Sequence, residues 1–232
     1  MTEEYNIAIV LAAGSGKRMN SSVPKQYLQL QEKPLIYYTL QAFQKAKKIH
    51  EILPVTGEDD REYWKHEIVE KYGFTKIKQI VTGGRERYDS VYHALTAIRS
   101  CSCVLIHDGA RPLVTEEIIE RNLESVREWG TACTGVPVKD TIKQCDEKQN
   151  VEKTLERNAL WQIQTPQSFR FQTIRRAYET MYSRREFDGI TDDCMVLERF
   201  GTEKVHMVMG SYSNIKATTP EDMVYLKYFL SL

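Results

Sequence analysis

Short runs rich in β-branched residues alternate with longer amphipathic stretches along most of this 232-residue chain. Such alternation is typical of an α/β domain with a mainly parallel sheet, because each strand returns to the same edge through a covering helix. The pattern predicts strands at residues 7–11, 76–81, 103–107 and 205–210. It predicts helices at residues 34–46, 90–99, 173–184, 191–200 and 219–230, and one more that begins at Thr115. We expect a single domain that spans residues 1–232.

Residues 136–164 depart from this rhythm. Short alternating segments flank a polar turn at residues 146–150, which indicates a β-hairpin and not another βα unit. We therefore expect a hairpin arm at about residues 137–160. Because an isolated two-stranded hairpin is marginally stable in water, the arm needs something to pack against. A second copy of the chain would meet that need, which predicts a homodimer with a dimerisation arm.

The composition limits the partners of the chain. Lys and Arg together number 32 and Asp and Glu also number 32, so there is no overall basic field to attract nucleic acid. No stretch is apolar for long enough to predict a membrane span. The five cysteines are odd in number and include no C-x-x-C pair, which favours neither a disulfide framework nor a zinc site. We expect a soluble protein of the reducing cytoplasm.

The opening loop, "LAAGSGKRM" at residues 11–19, follows the first predicted strand. It is not a Walker loop, because Leu11 stands where the first glycine is needed and Arg18 replaces the hydroxyl residue. It is not a dinucleotide fingerprint either, since Met19 occupies the place of the third glycine. What remains is a turn of small residues whose backbone amides can approach a polyphosphate, followed by two cations, Arg18 and Lys25. A plain turn with two solvated cations is the alternative interpretation of this loop by itself.

Further blocks give the loop a specific context. They are "PKQYL" (24–28), "TGGRERYDSV" (82–91), "IHDGARP" (106–112), "VPVKDTI" (136–142), "RNALWQIQTPQSF" (157–169), "TDD" (191–193) and "GSYSNIKATTPEDM" (210–223). Together with the opening loop they resemble the 2-C-methyl-D-erythritol 4-phosphate cytidylyltransferase family over nearly the whole chain. The resemblance implies a Rossmann-like nucleotidyltransferase fold with a projecting β-hairpin arm. It also implies an enzyme that transfers CMP from CTP to a polyol phosphate and releases pyrophosphate.

The resemblance implies roles for individual residues. It assigns relief of negative charge around the α-phosphate and the leaving group to Arg18, Lys25 and Lys216. It assigns CTP binding to Ala12, Ala13, Gly14, Ser15, Gly16, Gly83, Gly84, Ser90 and Gly109. It assigns contacts to the polyol phosphate to Asp108, Arg111, Thr141, Arg157 and Thr165, with hydroxyls of the polyol or the ribose as the targets of Asp108. We expect His107 to be structural. An ordinary helix cap explains Ser90 equally well, and a solvated lysine is the alternative for Lys216.

Two functions remain open beside methylerythritol phosphate cytidylyltransfer. One is the transfer of CMP to ribitol 5-phosphate, which would use most of the same blocks. The other is a non-catalytic CTP-binding domain, although Arg18, Lys25 and Lys216 together favour catalysis. Arg157 would act in its own chain or reach across a dimer interface.

The sequence offers no tight acidic cluster for a metal. Asp192 and Asp193 are adjacent and so do not face one another on a helix, which makes a polar helix start a sufficient explanation for them. We therefore expect Mg²⁺ to be held mainly by the phosphates of CTP, as this ion commonly is. One departure from the family pattern concerns the fold: Pro54 falls in an apolar segment and predicts a strand that is shortened or irregular there.

Overall fold

A seven-stranded sheet lies at the centre of the computed structural model, which describes residues 4–14 and 24–231. The β-strands are β1 (Asn6–Leu11), β2 (Gln29–Leu30), β3 (Lys33–Pro34), β4 (Glu51–Thr56), β5 (Val81–Thr82), β6 (Cys103–Asp108), β7 (Thr131–Pro137), β8 (Lys143–Cys145), β9 (Val151–Thr154), β10 (Trp161–Arg170) and β11 (Met207–Met209). The large sheet has the order β11-β7-β10-β6-β1-β4-β5. Neighbouring strands are parallel except that β10 is antiparallel to both β6 and β7. The mainly parallel sheet predicted from the sequence is confirmed.

Helices cover both faces of the sheet. The α-helices are α1 (Leu35–Lys45), α2 (Arg61–Tyr63), α3 (Arg87–Ala97), α4 (Glu116–Trp129), α5 (Phe171–Arg184), α6 (Asp193–Phe200) and α7 (Pro220–Leu230), and α2 continues as a π-helix at Trp64–Glu70. The apolar sides of α1 and α4 pack in one core cluster with Ala8 and Val10 of β1. The apolar sides of α3, α5 and α6 pack in a second cluster with Ile7 and Ile9. Because successive side chains of a strand point to opposite faces, both faces of β1 are buried and its sequence is a continuous apolar run.

Pro54 does not shorten its strand, which corrects our expectation. β4 runs unbroken from Glu51 to Thr56 and pairs with β1 along its length. The backbone N–H of Ile52 points away from β1, towards the carbonyl of Lys76, at 2.9 Å. Since N–H groups alternate in direction along a strand, the missing N–H of Pro54 belongs to that same side. There the sheet has only a single bridge at Ile77 and the two-residue β5, so the proline interrupts the neighbour of β4 and not β4 itself.

The predicted helices are confirmed to within a few residues at their ends. Thr115 is the N-cap of α4 and accepts a hydrogen bond from the backbone N–H of Ile118. Thr219 caps α7, whose first residue is Pro220. The strand predicted at residues 76–81 is mostly wrong, because only Val81 of that range lies in β5. Strands β7 and β10 were not predicted, since their polar and apolar residues do not alternate cleanly.

The hairpin arm is confirmed as a local structure. Strands β8 and β9 are antiparallel, and the turn between them is closed by the carboxylate of Asp146, which accepts from the backbone N–H groups of Lys148 and Asn150. The base of the arm is fixed by a backbone hydrogen bond of 3.0 Å from Val138 to Leu160. None of residues 138–160, all of which the structure describes, is buried. The arm therefore contributes nothing to the core of its own chain.

Two further findings concern the chain as a whole. All five cysteines are free thiols. Within residues 4–14 and 24–231, no helix has both the length and the apolar character needed to cross a membrane.

Candidate active site

The candidate site lies where the strand order of the sheet reverses direction, on either side of β1. From β1 the chain proceeds outward to β4 and β5, and β6 then pairs with the opposite side of β1. In open α/β sheets, a ligand-binding crevice forms at the carboxyl ends of the strands that flank such a switch point. Here those ends are Leu11 and Asp108, which are paired in register. Ala12, Ala13 and Gly14 continue from β1 directly over this edge.

Two pockets open at this edge. The loop pocket is lined mainly by residues after β1 and around the start of α3, and it includes eight of the predicted residues: Ala12, Ala13, Gly14, Lys25, Gly84, Ser90, Asp108 and Lys216. The β10 pocket is lined by residues 163–165 and by Arg111, Gln167 and Thr191 among others. Of the described residues, three line both pockets: Arg87, Asp108 and Lys216. They form a shared wall between the two pockets, so ligands in the two pockets would meet at these side chains.

Asp108 is the centre of the shared wall. Its Oδ2 lies 2.8 Å from Lys216 Nζ and 3.8 Å from Arg111 Nε, and its Oδ1 lies 3.4 Å from Arg87 Nε. Burial alone would raise the pKa of this carboxyl, but the positive charges of Arg87, Lys216 and Arg111 lower the pKa below its usual range. Asp108 therefore stays ionised and can only accept hydrogen bonds, which suits it to bind hydroxyl groups.

The segment that supports Lys216 is attached to the end of β6. Arg111 donates from Nη1 to the carbonyl of Asn214 at 2.7 Å, and Ala217 donates its backbone N–H to the carbonyl of Ala110 at 2.8 Å. Lys25 Nζ donates to the carbonyl of Ala217 at 3.2 Å. Two cations that are far apart in sequence, Lys25 and Lys216, thus converge on one side of the loop pocket.

Lys25 is held in place by a short turn. It begins the 3-10 helix Lys25–Tyr27, and the side chain of Gln26 is buried and donates to the carbonyl of Ala12 at 2.8 Å. The hydroxyl of Tyr27 donates to Asp60 at 2.7 Å and accepts from the indole of Trp64 at 2.8 Å. The turn is therefore tied both to the end of β1 and to the loop after β4, although its cation faces the pocket.

His107 is structural, as expected, and links the two sides of the site. It is fully buried, with Nε2 3.1 Å from the carbonyl of Arg111 and Nδ1 3.1 Å from the hydroxyl of Thr165. The Thr165 hydroxyl also accepts the backbone N–H of Asp108 at 3.0 Å, so its own hydrogen is available to Nδ1. Burial lowers the pKa of His107 to about 4, which keeps the ring neutral. Thr165 is thereby fixed beside Asp108.

Two of the predicted glycines, Gly83 and Gly109, act through close packing of the loops and do not line the pockets. Gly83 does not line either pocket, but a Cβ there would lie 2.5 Å from Ala13 Cβ and 2.9 Å from Ser90 Oγ. Gly109 is similar, because a Cβ would meet the carbonyl of Leu11 at 2.9 Å. Both glycines let the loops that form the pocket approach closely. Ser90 is not the helix cap we considered, since Glu86 caps α3 and Ser90 Oγ instead accepts from the backbone N–H of Gly84 at 3.1 Å.

Two more of the predicted residues in the described part of the chain are not brought to these pockets. Thr141 and Arg157 lie on the arm, where both are exposed and Arg157 donates to the carbonyl of Lys139 at 2.7 Å. Ser15, Gly16 and Arg18 lie outside the described residues. The roles implied for all five stay predictions.

Arg87 is the residue that the sequence analysis missed. It is the first residue of α3, and an arginine in the first turn of a helix opposes the helix dipole. Such a residue is expected to have acidic partners from elsewhere, which is the signal that would have found it. Its partners are Asp193 and Asp108.

The other acidic residues of the site are accounted for by structure. Asp192 caps α6, as expected for a polar helix start, and accepts from the backbone N–H of Met195 at 2.8 Å. Asp193 pairs with Arg87 and is fully buried. In the described part of the chain, no group of three or more His, Cys, Asp or Glu side chains is arranged to hold a metal ion.

Comparisons with known proteins agree on one family. The family model described as "IspD: 2-C-methyl-D-erythritol 4-phosphate cytidylyltransferase" matches residues 6–231. A protein of that name from Lachnospira eligens is 48% identical over 225 residues, covering 97% of this chain and 99% of the relative. One from Alkaliphilus metalliredigens is 45% identical, covering 93% of this chain and 89% of the relative. The crystal structure of 4-diphosphocytidyl-2C-methyl-D-erythritol synthase from Anaerococcus prevotii superposes with a TM-score of 0.86 at 35% identity, covering 99% of both chains.

Proposed function

We propose a reaction for this site on one established premise: the chain belongs to the 2-C-methyl-D-erythritol 4-phosphate cytidylyltransferase family. The reaction is the transfer of CMP from CTP to 2-C-methyl-D-erythritol 4-phosphate. Its products are 4-diphosphocytidyl-2-C-methylerythritol and pyrophosphate. The names of the relatives support methylerythritol phosphate, and no observation favours ribitol phosphate as the acceptor.

The chemistry requires relief of charge more than proton transfer. A phosphate oxygen of the acceptor forms a new bond to the α-phosphorus of CTP. The bond from that phosphorus to the oxygen shared with the β-phosphate breaks, and its electron pair leaves with pyrophosphate. The nucleophile is already an anion, so no base and no protein nucleophile is needed. The obstacle is the approach of two negative reactants, which fixed cations reduce.

The observation that carries the proposal is the shared wall between the two pockets. CTP would occupy the loop pocket, with its phosphates near Lys25 and Lys216. The acceptor would occupy the β10 pocket, where Arg111 and Thr165 lie beside the Asp108 carboxylate. The reacting atoms would then meet at Lys216, a cation common to both pockets. Arg18, which lies outside the described residues, is proposed to add a further positive charge to the leaving group.

Mg²⁺ is proposed to enter with the nucleotide. Asp108 is the carboxylate at the centre of the wall, but three cations already surround it, which makes it a poor ligand for a divalent ion. The ion would supply additional charge neutralisation on the triphosphate, where it commonly binds. Calorimetry should therefore detect weak Mg²⁺ binding by the free protein and much tighter binding in the presence of CTP. Tight binding by the free protein would contradict this placement.

The arm is proposed to complete the site of a second subunit. Arg157 is an exposed cation on a segment with no buried residue, and Val151 of β9 leaves 58% of its surface exposed. A two-stranded hairpin that contributes nothing to its own core is marginally stable by itself, which favours a partner surface. We propose a homodimer in which each arm brings Arg157 to the β10 pocket of the partner subunit.

The five free thiols favour a reducing compartment such as the cytoplasm for this enzyme.

The test measures the release of pyrophosphate from CTP, in the presence of Mg²⁺, with each of two acceptors. We expect release with 2-C-methyl-D-erythritol 4-phosphate and far less with ribitol 5-phosphate. Release with the ribitol compound alone would replace the proposed acceptor. CTP binding without release in either case would contradict the assignment of the site as catalytic.

A further inference from the structure

Arg87 joins three elements of the site through two carboxylates. From the first turn of α3 its two terminal nitrogens donate to both oxygens of Asp193, at 2.9 and 2.7 Å. Its Nε faces Oδ1 of Asp108 at the end of β6, at 3.4 Å. Asp193 belongs to the first turn of α6. A single guanidinium thus connects α3, α6 and β6 at the shared wall.

The position of Arg87 is fixed from the Asp193 side. Asp193 is fully buried, and its carboxylate also accepts from the hydroxyl of Tyr178 at 2.7 Å. Its backbone N–H donates to the side chain of Gln167 at 2.9 Å. A planar fork that donates twice to a buried carboxylate has little rotational freedom. The remaining Nε therefore reaches Asp108 from a fixed direction.

The two oxygens of Asp108 have different partners. Oδ1 faces Arg87, whereas Oδ2 faces Lys216 at 2.8 Å and Arg111 at 3.8 Å. Arg111 is already held by the carbonyl of Asn214. Lys216 is the partner that a substrate phosphate would attract, since it also lines both pockets. If Lys216 turned to a phosphate, Oδ2 would lose its nearest cation, whereas Oδ1 would keep its contact with Arg87.

We propose that Arg87 is a positioning residue for Asp108: anchored by Asp193, it fixes and neutralises the carboxylate so that Lys216 is released to the substrate phosphates. The inference rests on the proposed function, because it needs a phosphate ligand at the wall. Without Arg87, Asp108 would depend on Lys216 and retain it. Substrate would then bind without the full electrostatic help of that lysine, and turnover would fall.

The charge environment of Asp108 supplies a readout that a purely structural role would not change. Within the described residues, the charged groups that face it are Arg87 from α3, Arg111 from the turn after β6 and Lys216 from the segment before α7. From β10 it is faced by the neutral hydroxyl of Thr165. Burial raises the pKa of Asp108, and the charge of Arg87 opposes that effect. Loss of Arg87 therefore raises this pKa, and activity is lost at a higher pH as the solution becomes more acidic.

The main variant, called the anchor variant below, removes the charges of both Arg87 and Asp193. Arg87→Gln alone would leave the buried Asp193 unpaired, so Arg87→Gln/Asp193→Asn is used to avoid an uncompensated charge. A matched control is Arg175→Gln/Glu179→Gln, which removes an arginine and carboxylate pair of 2.9 Å on α5, away from both pockets. A third variant, Arg87→Lys, keeps one positive charge but loses the planar fork that reaches two carboxylates.

The assay follows kcat against pH, with thermal denaturation beside it. We expect the anchor variant to lose about 10–100-fold in kcat, as displaced catalytic groups typically do. We expect its acid limb at higher pH than in the wild type. The matched control should keep the wild-type profile. Arg87→Lys should keep the position of the acid limb but lose kcat, and it remains decisive if the double variant does not fold.

Two results would overturn the inference. One is a folded anchor variant with the kcat and pH profile of the wild type, which would reduce Arg87 to a counter-charge for Asp193. The other is an Arg87→Lys protein of unchanged kcat. Failure of the proposed function is distinguishable from both, because the wild type itself would then release no pyrophosphate from CTP with 2-C-methyl-D-erythritol 4-phosphate.

Discussion

The predicted polyol-phosphate residues lie in two contrasting regions. At the edge of the sheet, Asp108 and Thr165 are buried and Arg111 is nearly so. Each of these three side chains contacts a group from another part of the chain. On the arm, Thr141 and Arg157 are exposed, and the one hydrogen bond of the Arg157 guanidinium in the described structure is to Lys139 at the base of the same hairpin.

This difference separates side chains that the fold of one chain holds in place, at the sheet edge, from side chains that it leaves exposed, on the arm. The sheet holds Asp108 because β6 must pair with β1 to bury the core, so the geometry of the shared wall follows from folding itself. Among the described residues, nothing comparable fixes Arg157 within its own chain. If both regions serve one reaction, the first should respond to substitution within a single chain, and the second only through a partner.

The largest expected effect is in the sheet-edge region. Lys25→Ala should lower kcat by about 10²-fold or more, because it removes a fixed charge aimed at a developing anion. The protein should still fold, since the Lys25 side chain lines the open loop pocket and the turn is held by Gln26 and Tyr27. The measurement is pyrophosphate release beside thermal denaturation. Lys47→Ala, at an exposed lysine outside both pockets, is the control.

Arg18→Ala is expected to behave like Lys25→Ala. Unfolded or fully active variants would contradict the assignment.

The second effect concerns stability and also belongs to the sheet edge. The pKa of His107 is about 4 in the folded chain and 6.5 for an ordinary histidine. Between these two pH values, the imidazole is protonated in the unfolded chain but stays neutral in the folded chain. His107 thus stabilises the fold above about pH 6.5, and this contribution is lost as the pH falls towards 4. The loss is about 3 kcal/mol at 1.36 kcal/mol per pKa unit.

The measurement is the free energy of unfolding by urea at several pH values. Between pH 6.5 and 4, it should fall by less in His107→Gln than in the wild type, and the difference between the two slopes isolates the histidine. Asp108 does not interfere, because a carboxyl whose pKa is lowered affects stability below about pH 4. Equal slopes would show that the ring is not held neutral.

Much of the fold, including the two strands that end at the site, follows from local sequence patterns. Buried apolar runs predict β1 and β6, and a strand of this type places the residue after it at the ligand edge. The cap at Thr115 and the proline at the start of α7 mark helix ends by local chemistry alone. The hairpin turn at residues 146–150 is equally local. These features need no knowledge of distant residues.

What the sequence did not reveal depends on contacts between distant residues. The pairing of Arg87 with Asp193 joins residues 106 positions apart, and neither residue stands out without its partner. Pro54 misled for the same reason, because its effect depends on which neighbouring strand its missing N–H would have faced. Strand β10 runs antiparallel between two parallel strands, an arrangement that a local pattern does not specify.

The last prediction tests the contrast directly, and it measures the smallest change, a partial return of activity in mixed dimers. If Lys25 acts within its own chain and Arg157 reaches across a two-fold interface, Lys25→Ala and Arg157→Ala homodimers should both be nearly inactive. A mixed dimer has one site with both substitutions and one site with neither. Random reassortment makes about half the dimers mixed, and half the sites in those are intact. Activity should therefore return to roughly a quarter of the wild type per subunit.

The experiment co-expresses the two variants with different tags and assays purified mixed dimers, in which half of the wild-type activity is expected. Lys25→Ala mixed with a second Lys25→Ala chain is the control, because no reassortment of that pair can make an intact site. Mixed dimers without activity would place Arg157 in the site of its own chain. Arg157→Ala homodimers of full activity would leave the exposed arginine without a role in the reaction. Recovery to the expected half would show that the arm, which the core does not position, is positioned by the partner subunit.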